Sequence, residues 1–185
     1  MKILLLSDAN SVHTIRWVES LKKNNLDLLL FSLFKPTTVN KKKYNELGVC
    51  VISPDLRNKI KKIREPNFSK IKYFSSIFLL NKTIKDFKPN IIHAHYASSY
   101  GVLAFLSRFK PFILSVWGSD VYDFPTKNLF NKFLIKKIIK KADIVCSTSN
   151  EMKKLVEKEF QRYDVKIVPF GIDSNLFIPK HDPKM

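Results

Sequence analysis

A chain of 185 residues, 45% hydrophobic and 12% aromatic, carries enough apolar material for one globular core and excludes a disordered polymer. Its 33 basic residues against 16 acidic ones leave a formal charge of +17, which any polyanion feels, an anionic lipid surface included. Only five of the basic residues are Arg (Arg16, Arg57, Arg64, Arg108, Arg162), which argues against a dedicated reader of bases and phosphates. Cys50 and Cys146 sit in apolar runs without metal or disulfide spacing, as buried free thiols of a reducing compartment do.

The start, MKILLLSDAN, reads as a buried strand over 2–7, because its apolar run is short and no small-residue cleavage site follows. Over 12–23, Val12, Ile15, Trp17, Val18 and Leu21 form one helical stripe that Lys22, Lys23 and Asn24 close. Strands are expected at 27–32 and 49–52. The segment 53–67, with Pro54, Pro66 and several charges, reads as a loop or broken helix. A helix follows over 68–87 and ends before Pro89. Strands at 91–94, 112–116, 143–147 and 165–168 then alternate with helices at 99–109, 127–141 and 150–161.

Most of the strand runs are continuously apolar, as strands covered on both faces must be. Strand–helix alternation with short links demands parallel pairing through right-handed crossovers. The expected fold is therefore α/β: a Rossmann-like, doubly wound, mostly parallel sheet of about seven strands with helices on both faces. In such sheets ligands bind beyond the carboxyl ends of the strands, where strand order reverses. That selects the loops at 7–14, 94–101, 117–125, 147–150 and 169–173.

The first of these, SDANSVHTIRW, has no Gly, so the dinucleotide fingerprint is missing and NAD in its usual mode is disfavoured. It offers hydroxyl-binding groups instead, Ser11 and His13 among them, although Ser11 also suits a helix N-cap. In IIHAHYASSYG, His93 and His95 share one strand face. They make two ligands of a metal site without a visible third, so a hydrogen bond from His95 to a sugar hydroxyl or phosphate is the better reading, with His93 buried and hydrogen-bonded. Ser98, Ser99 and Gly101 open the next helix. In SVWGSDVYDFP, Ser119 and Asp120 are acceptors at the cleft or caps of the next helix, and Trp117 and Tyr122 are flat surfaces suited to a pyranose ring. In ADIVCSTSNEMKK, Ser149 or Asn150 caps a helix.

HAHYASSYG, SVWGSDV, ADIVCSTSNEMKK and VPFGIDSNLF, in this order and spacing, resemble the N-terminal domain of the retaining GT-B glycosyltransferases of family 4, over essentially Lys2–Pro179. The last segment looks like the family's P-N-G-V-D-x-x-x-F hinge, with Phe170 where Asn is commoner. The chain also has S-V-W-G where many members have T-x-H-G, which puts Trp117 in the place of a His. The resemblance implies an acceptor-binding domain over 1–178, the start of an interdomain linker at 179–185, and a separate C-terminal half that holds the nucleotide-sugar. It implies transfer with retention, no bound metal and no cofactor, and a fragment inactive alone. Asp120 and His95 are the expected catalytic residues. Ser11, His13, Ser98, Trp117, Ser119 and Tyr122 are expected to bind acceptor, and Gly171 and Asp173 to form the hinge.

The expected function is sugar transfer to a saccharide or lipid-linked acceptor in cell-surface glycan synthesis. Half of a UDP-sugar 2-epimerase and a non-catalytic polyanion binder are the alternatives. No specific nucleic acid is expected as a partner, since counterion release attracts any Lys-rich protein. No stretch reaches the roughly 20 apolar residues that span a bilayer. The expected place is the cytoplasm, with peripheral contact at an anionic inner membrane face. In that contact, helix 127–141 is expected to pack its apolar face on the sheet and turn its lysines outward.

Overall fold

The computed structural model describes residues 1–56 and 66–171, residues 66–74 by their backbone alone. Seven strands, β1 (Lys2–Leu6), β2 (Asp27–Phe31), β3 (Cys50–Ile52), β4 (Ile91–His95), β5 (Phe112–Ser115), β6 (Ile144–Ser147) and β7 (Lys166–Ile167), make one sheet in the order β3-β2-β1-β4-β5-β6-β7. Every pairing is parallel. The order reverses between β1 and β4, the place where a parallel sheet leaves a crevice at its carboxyl edge. The doubly wound expectation holds, and all strands begin and end within a residue or two of their expected limits.

Alternation along β1 sorts the core into two layers. Leu4 and Leu6 face one cluster, which also takes Leu80, Leu103, Ile135, Ile138, Ile139, Val156 and Phe160. Those residues come from α3 (Pro66–Phe87), α4 (Val102–Ser107), α6 (Leu129–Lys141) and α7 (Asn150–Phe160). Ile3 and Leu5 face the other, smaller cluster, with Val18 of α1 (Val12–Lys23) and Tyr44 of α2 (Thr38–Glu46). Helix α2 was not foreseen: its mean hydropathy is low and Tyr44 is its one buried residue, so it has almost no apolar period to read. Thr37 caps it by accepting from the Asn40 amide.

The helix expected at 99–109 starts earlier, as a π-helical turn over Tyr96–Gly101 that leads into α4. Gly101 is there because a Cβ would meet Leu114 Cδ1 at 2.9 Å, so the wide turn packs directly on β5. Cysteine gives a split result. Cys146 is buried as expected, but Cys50 is exposed, because β3 is the edge strand. Of the segment read as a loop, 57–65 lies outside the described residues, as do 172–185 with the expected domain boundary.

Candidate functional site

The carboxyl ends of β1, β2, β4 and β5 surround a cavity of about 400 Å³. Ser7, Asp8 and Ser11 line it from the first loop, His95, Tyr96 and Ser99 from the end of β4, and Trp117 from the end of β5. Leu33 and Phe34 from the loop after β2, with Tyr100, complete it. That loop lies at the same edge of the sheet, and the sequence reading passed over it. Its signal was topological: a loop leaving a strand next to β1 must open on the same crevice.

His95 is fully buried within the wall, as the pairing of β4 against β1 and β5 requires. Its Nδ1 is 3.0 Å from Ser7 Oγ, and Ser7 Oγ is 2.7 Å from Thr14 Oγ1. That chain fixes the ring and leaves Nε2 buried with no partner among the described residues. Burial, with His93 beside it, holds the His95 imidazole well below its ordinary pKa, so the ring is neutral at pH 7. A neutral imidazole with one nitrogen occupied has one hydrogen bond left to make.

His93 differs. Its Nε2 is satisfied by Ser115 Oγ at 2.8 Å, and burial lowers its pKa to about 4. The expectation of a buried, hydrogen-bonded His93 holds.

Aromatic rings form a bed over His95. Trp117 lies 4.6 Å from the His95 ring, and Trp17 packs on both His93 and His95. Phe170 stacks on His13 at 3.8 Å and 16°, and meets Trp117 edge-on at 5.2 Å. Trp117 and Phe170, the two departures from the family pattern, are therefore neighbours, and His13 contacts both. Burial and then Arg16 hold the His13 pKa down, and its Nδ1 has no partner among the described residues. Arg16 Nη1 reaches the Gly171 carbonyl at 3.4 Å, which ties the expected hinge glycine to α1. Trp17 and Phe170 were missed as site residues, since each reads as one more apolar position in its segment.

Asp120 was expected as a catalytic residue or a helix cap. It is fully buried, and its carboxylate accepts from Ala97 N at 2.7 Å, Gly118 N at 2.8 Å and Trp117 N at 3.1 Å. Burial pushes the carboxyl above its ordinary range while the amides pull it down. Gly118, at φ 144°, allows the turn that points these amides inward. An acid so enclosed joins the loop after β5 to the loop after β4.

The other expected residues divide. Ser11 stands at the N-cap position of α1 without a side-chain capping bond, so its hydroxyl remains available to the cavity it lines. Ser119 is exposed and hydrogen-bonded to the Tyr96 hydroxyl. Tyr122 is 42% exposed on α5 (Ser119–Tyr122), and neither it nor Ser98 lines the cavity. Ser149 caps α7 by accepting from the Met152 amide, a structural role. Asp173 lies outside the described residues.

The model of the family described as "Glycosyl transferase 4-like" matches residues 2–149. A Bacillus subtilis (strain 168) protein, TuaC, whose name assigns it to teichuronic acid biosynthesis as a glycosyltransferase, is 32% identical over 110 residues. The match covers 56% of this chain and 28% of that protein. Among solved structures, a sucrose-phosphate synthase from Thermosynechococcus elongatus superposes with TM-score 0.70 at 14% identity, over 97% of this chain and 50% of that one. Anabaena Alr3699/HepE in complex with UDP-glucose superposes with TM-score 0.67 at 15% identity, over 96% and 46%. The chain thus spans half or less of the length of these three relatives.

Proposed function

The chain belongs to the glycosyl transferase 4-like family, and from that premise we propose that it is the acceptor-binding wall of a glycosyltransferase. The acceptor is a saccharide of a cell-surface glycan, free or lipid-linked. The nucleotide-sugar sits on a second lobe that closes over the strand tips, and transfer retains the anomeric configuration. The observation that carries this reading is the cavity at the β1/β4 switch point, floored by a neutral His95 whose Nε2 has no partner among the described residues. A buried polar atom without a partner is costly, and a ligand hydroxyl removes that cost. The biosynthetic assignment of the Bacillus relative and the UDP-glucose bound to the Anabaena protein support the substrate classes.

In this reading the parts of the wall have separate tasks. Ser7 and Thr14 set the His95 tautomer, and His95 Nε2 binds and orients the attacking hydroxyl. Trp117, in its tilted contact with His95, supplies a face on which a pyranose ring stacks. Ser11 offers a further hydroxyl contact, and the hinge runs through Gly171 against Arg16 and on to Asp173. Asp120 is a positioning residue that holds the Trp117 loop against the β4 loop.

The test is transfer by a polypeptide that carries this chain and a donor-binding lobe. Given UDP-sugars and membrane saccharides, it should yield a product of retained anomeric configuration, and His95→Phe should lower that yield about tenfold or more. No transfer to any saccharide, or epimerised UDP-sugar as the sole product, overturns the reading.

A further inference from the structure

The cavity at the strand tips carries charge opposite in sign to the chain as a whole. The sequence has 33 basic residues, yet among the described residues no Lys and no Arg lines this cavity. Its one charged side chain is the carboxylate of Asp8. The basic residues beside the first two lining loops are engaged elsewhere. Lys35 Nζ pairs with Asp55 Oδ2 at 3.2 Å, and Arg16 Nη1 reaches the Gly171 carbonyl.

Asp8 is half-buried and held in place by its neighbours, which are buried on both sides. Ser7 Oγ bonds His95 Nδ1, the Ala9 amide donates to Ser32 Oγ at 3.0 Å, and the Ala9 carbonyl accepts from the Tyr44 hydroxyl at 2.9 Å. The Asp8 carbonyl accepts from Ser11 N at 3.0 Å. One carboxylate oxygen, Oδ1, accepts from Asn10 N at 2.9 Å, while no hydrogen bond or ion pair among the described residues takes Oδ2. Burial, with the Asp8 charge adding to it, pushes up the phenol of Tyr100, so the field of this carboxylate is felt in the cavity wall. An open carboxylate oxygen and the idle nitrogen of His95 thus belong to the lining of one cavity.

We infer that Asp8 selects the charge of the acceptor: the cavity takes a neutral sugar residue and turns away a uronic acid or a phosphorylated sugar. The inference rests on the acceptor-binding reading above and adds to it the chemical class of the residue bound. Asp8 Oδ2 accepts from one sugar hydroxyl, and His95 Nε2 meets another. A carboxylate that receives a hydroxyl keeps its charge solvated, whereas a second anion in the same half-enclosed space meets a like charge with no cation to offset it. Specificity of this kind comes from repelling the wrong ligand as much as from fitting the right one. The attraction of a +17 chain for anions opposes the choice at long range. Salt screens that attraction over about 8 Å at physiological strength, while two charges inside a cavity are screened much less.

The test is titration of the full chain, followed by its indole NMR signals, and it needs no sugar transfer. The probes are matched pairs: methyl glucoside against methyl glucuronide, and methyl galactoside against methyl galacturonide. The neutral member of each pair should bind about tenfold or more tightly, and the ratio should survive rising salt. Asp8→Asn keeps an oxygen for the Asn10 amide, so it should retain the parent's urea midpoint while bringing the ratio close to one. Uronides that bind as well as their neutral partners, or an Asp8→Asn chain that keeps the parent's ratio, would overturn the inference and leave the acceptor-binding reading standing. If neither member of any pair binds, that reading falls and the inference falls with it.

Discussion

The loop closed by Asp120 and the bed around His95 lie side by side on the carboxyl edge of one sheet, yet they treat their polar groups in opposite ways. Asp120 gives both oxygens to three backbone amides. His95 gives one nitrogen to Ser7 and leaves the other unmatched among the described residues. Both are fully buried, so burial does not separate them. What separates them is whether the hydrogen-bonding capacity is used up inside the protein. A carboxylate that binds amides from two loops is scaffold. A neutral imidazole with an idle nitrogen in the wall of a cavity is a candidate site.

The comparison breaks most readily at Asp120. Asp120→Ala leaves one buried and two half-buried amides without an acceptor and should cost about 3 kcal/mol, read as a lower urea midpoint. Were the variant as stable as the parent, Asp120 would not be scaffold.

Acid should act on the other member. The folded state holds His93 near pKa 4, while the unfolded chain takes a proton near 6.5. Between these values the unfolded state binds more protons, so stability falls as pH drops through that window, by up to about 3 kcal/mol from this group. His95, lowered in the same direction, adds to the loss. Urea midpoints across that range should fall less steeply in His93→Gln, and an unchanged slope would remove His93 from the account.

Smaller effects sharpen the contrast. His95→Phe removes one hydrogen bond, so it should cost at most about 1 kcal/mol of stability while lowering saccharide affinity about tenfold. Equilibrium unfolding and calorimetric titration read the two quantities separately. Phe170→Ala should re-solvate His13 and move its pKa upward toward the ordinary value, as followed by its ring proton signals.

The sheet was legible because parallel, doubly covered strands write themselves as continuous apolar runs, and DLLLF and IIHAH did so. Helix α2 was not, because a cap, one buried Tyr44 and the lysines between leave little apolar period. The lining of the cavity was legible at His95, Ser11 and Trp117, whose places follow from strand ends alone. Phe34 was hidden in a loop whose position depends on strand order. Phe170 was hidden because its partner, His13, is 157 residues away, a contact no local pattern records. At Asp120 the sequence showed an acceptor after a strand end, but not the Ala97 amide that reaches it from the neighbouring loop. The exposure of Phe130 and Phe133 on α6 was likewise out of reach, because helical period marks an apolar side without saying how far the core extends along it.

The most direct test is a ring-nitrogen NMR titration of the chain with soluble saccharides, following His95. The account predicts that Nε2 shifts on binding, that Trp117 responds with it, and that UDP alone leaves both unmoved. Saccharide binding that leaves His95 Nε2 silent, or UDP that occupies the bed, would contradict it.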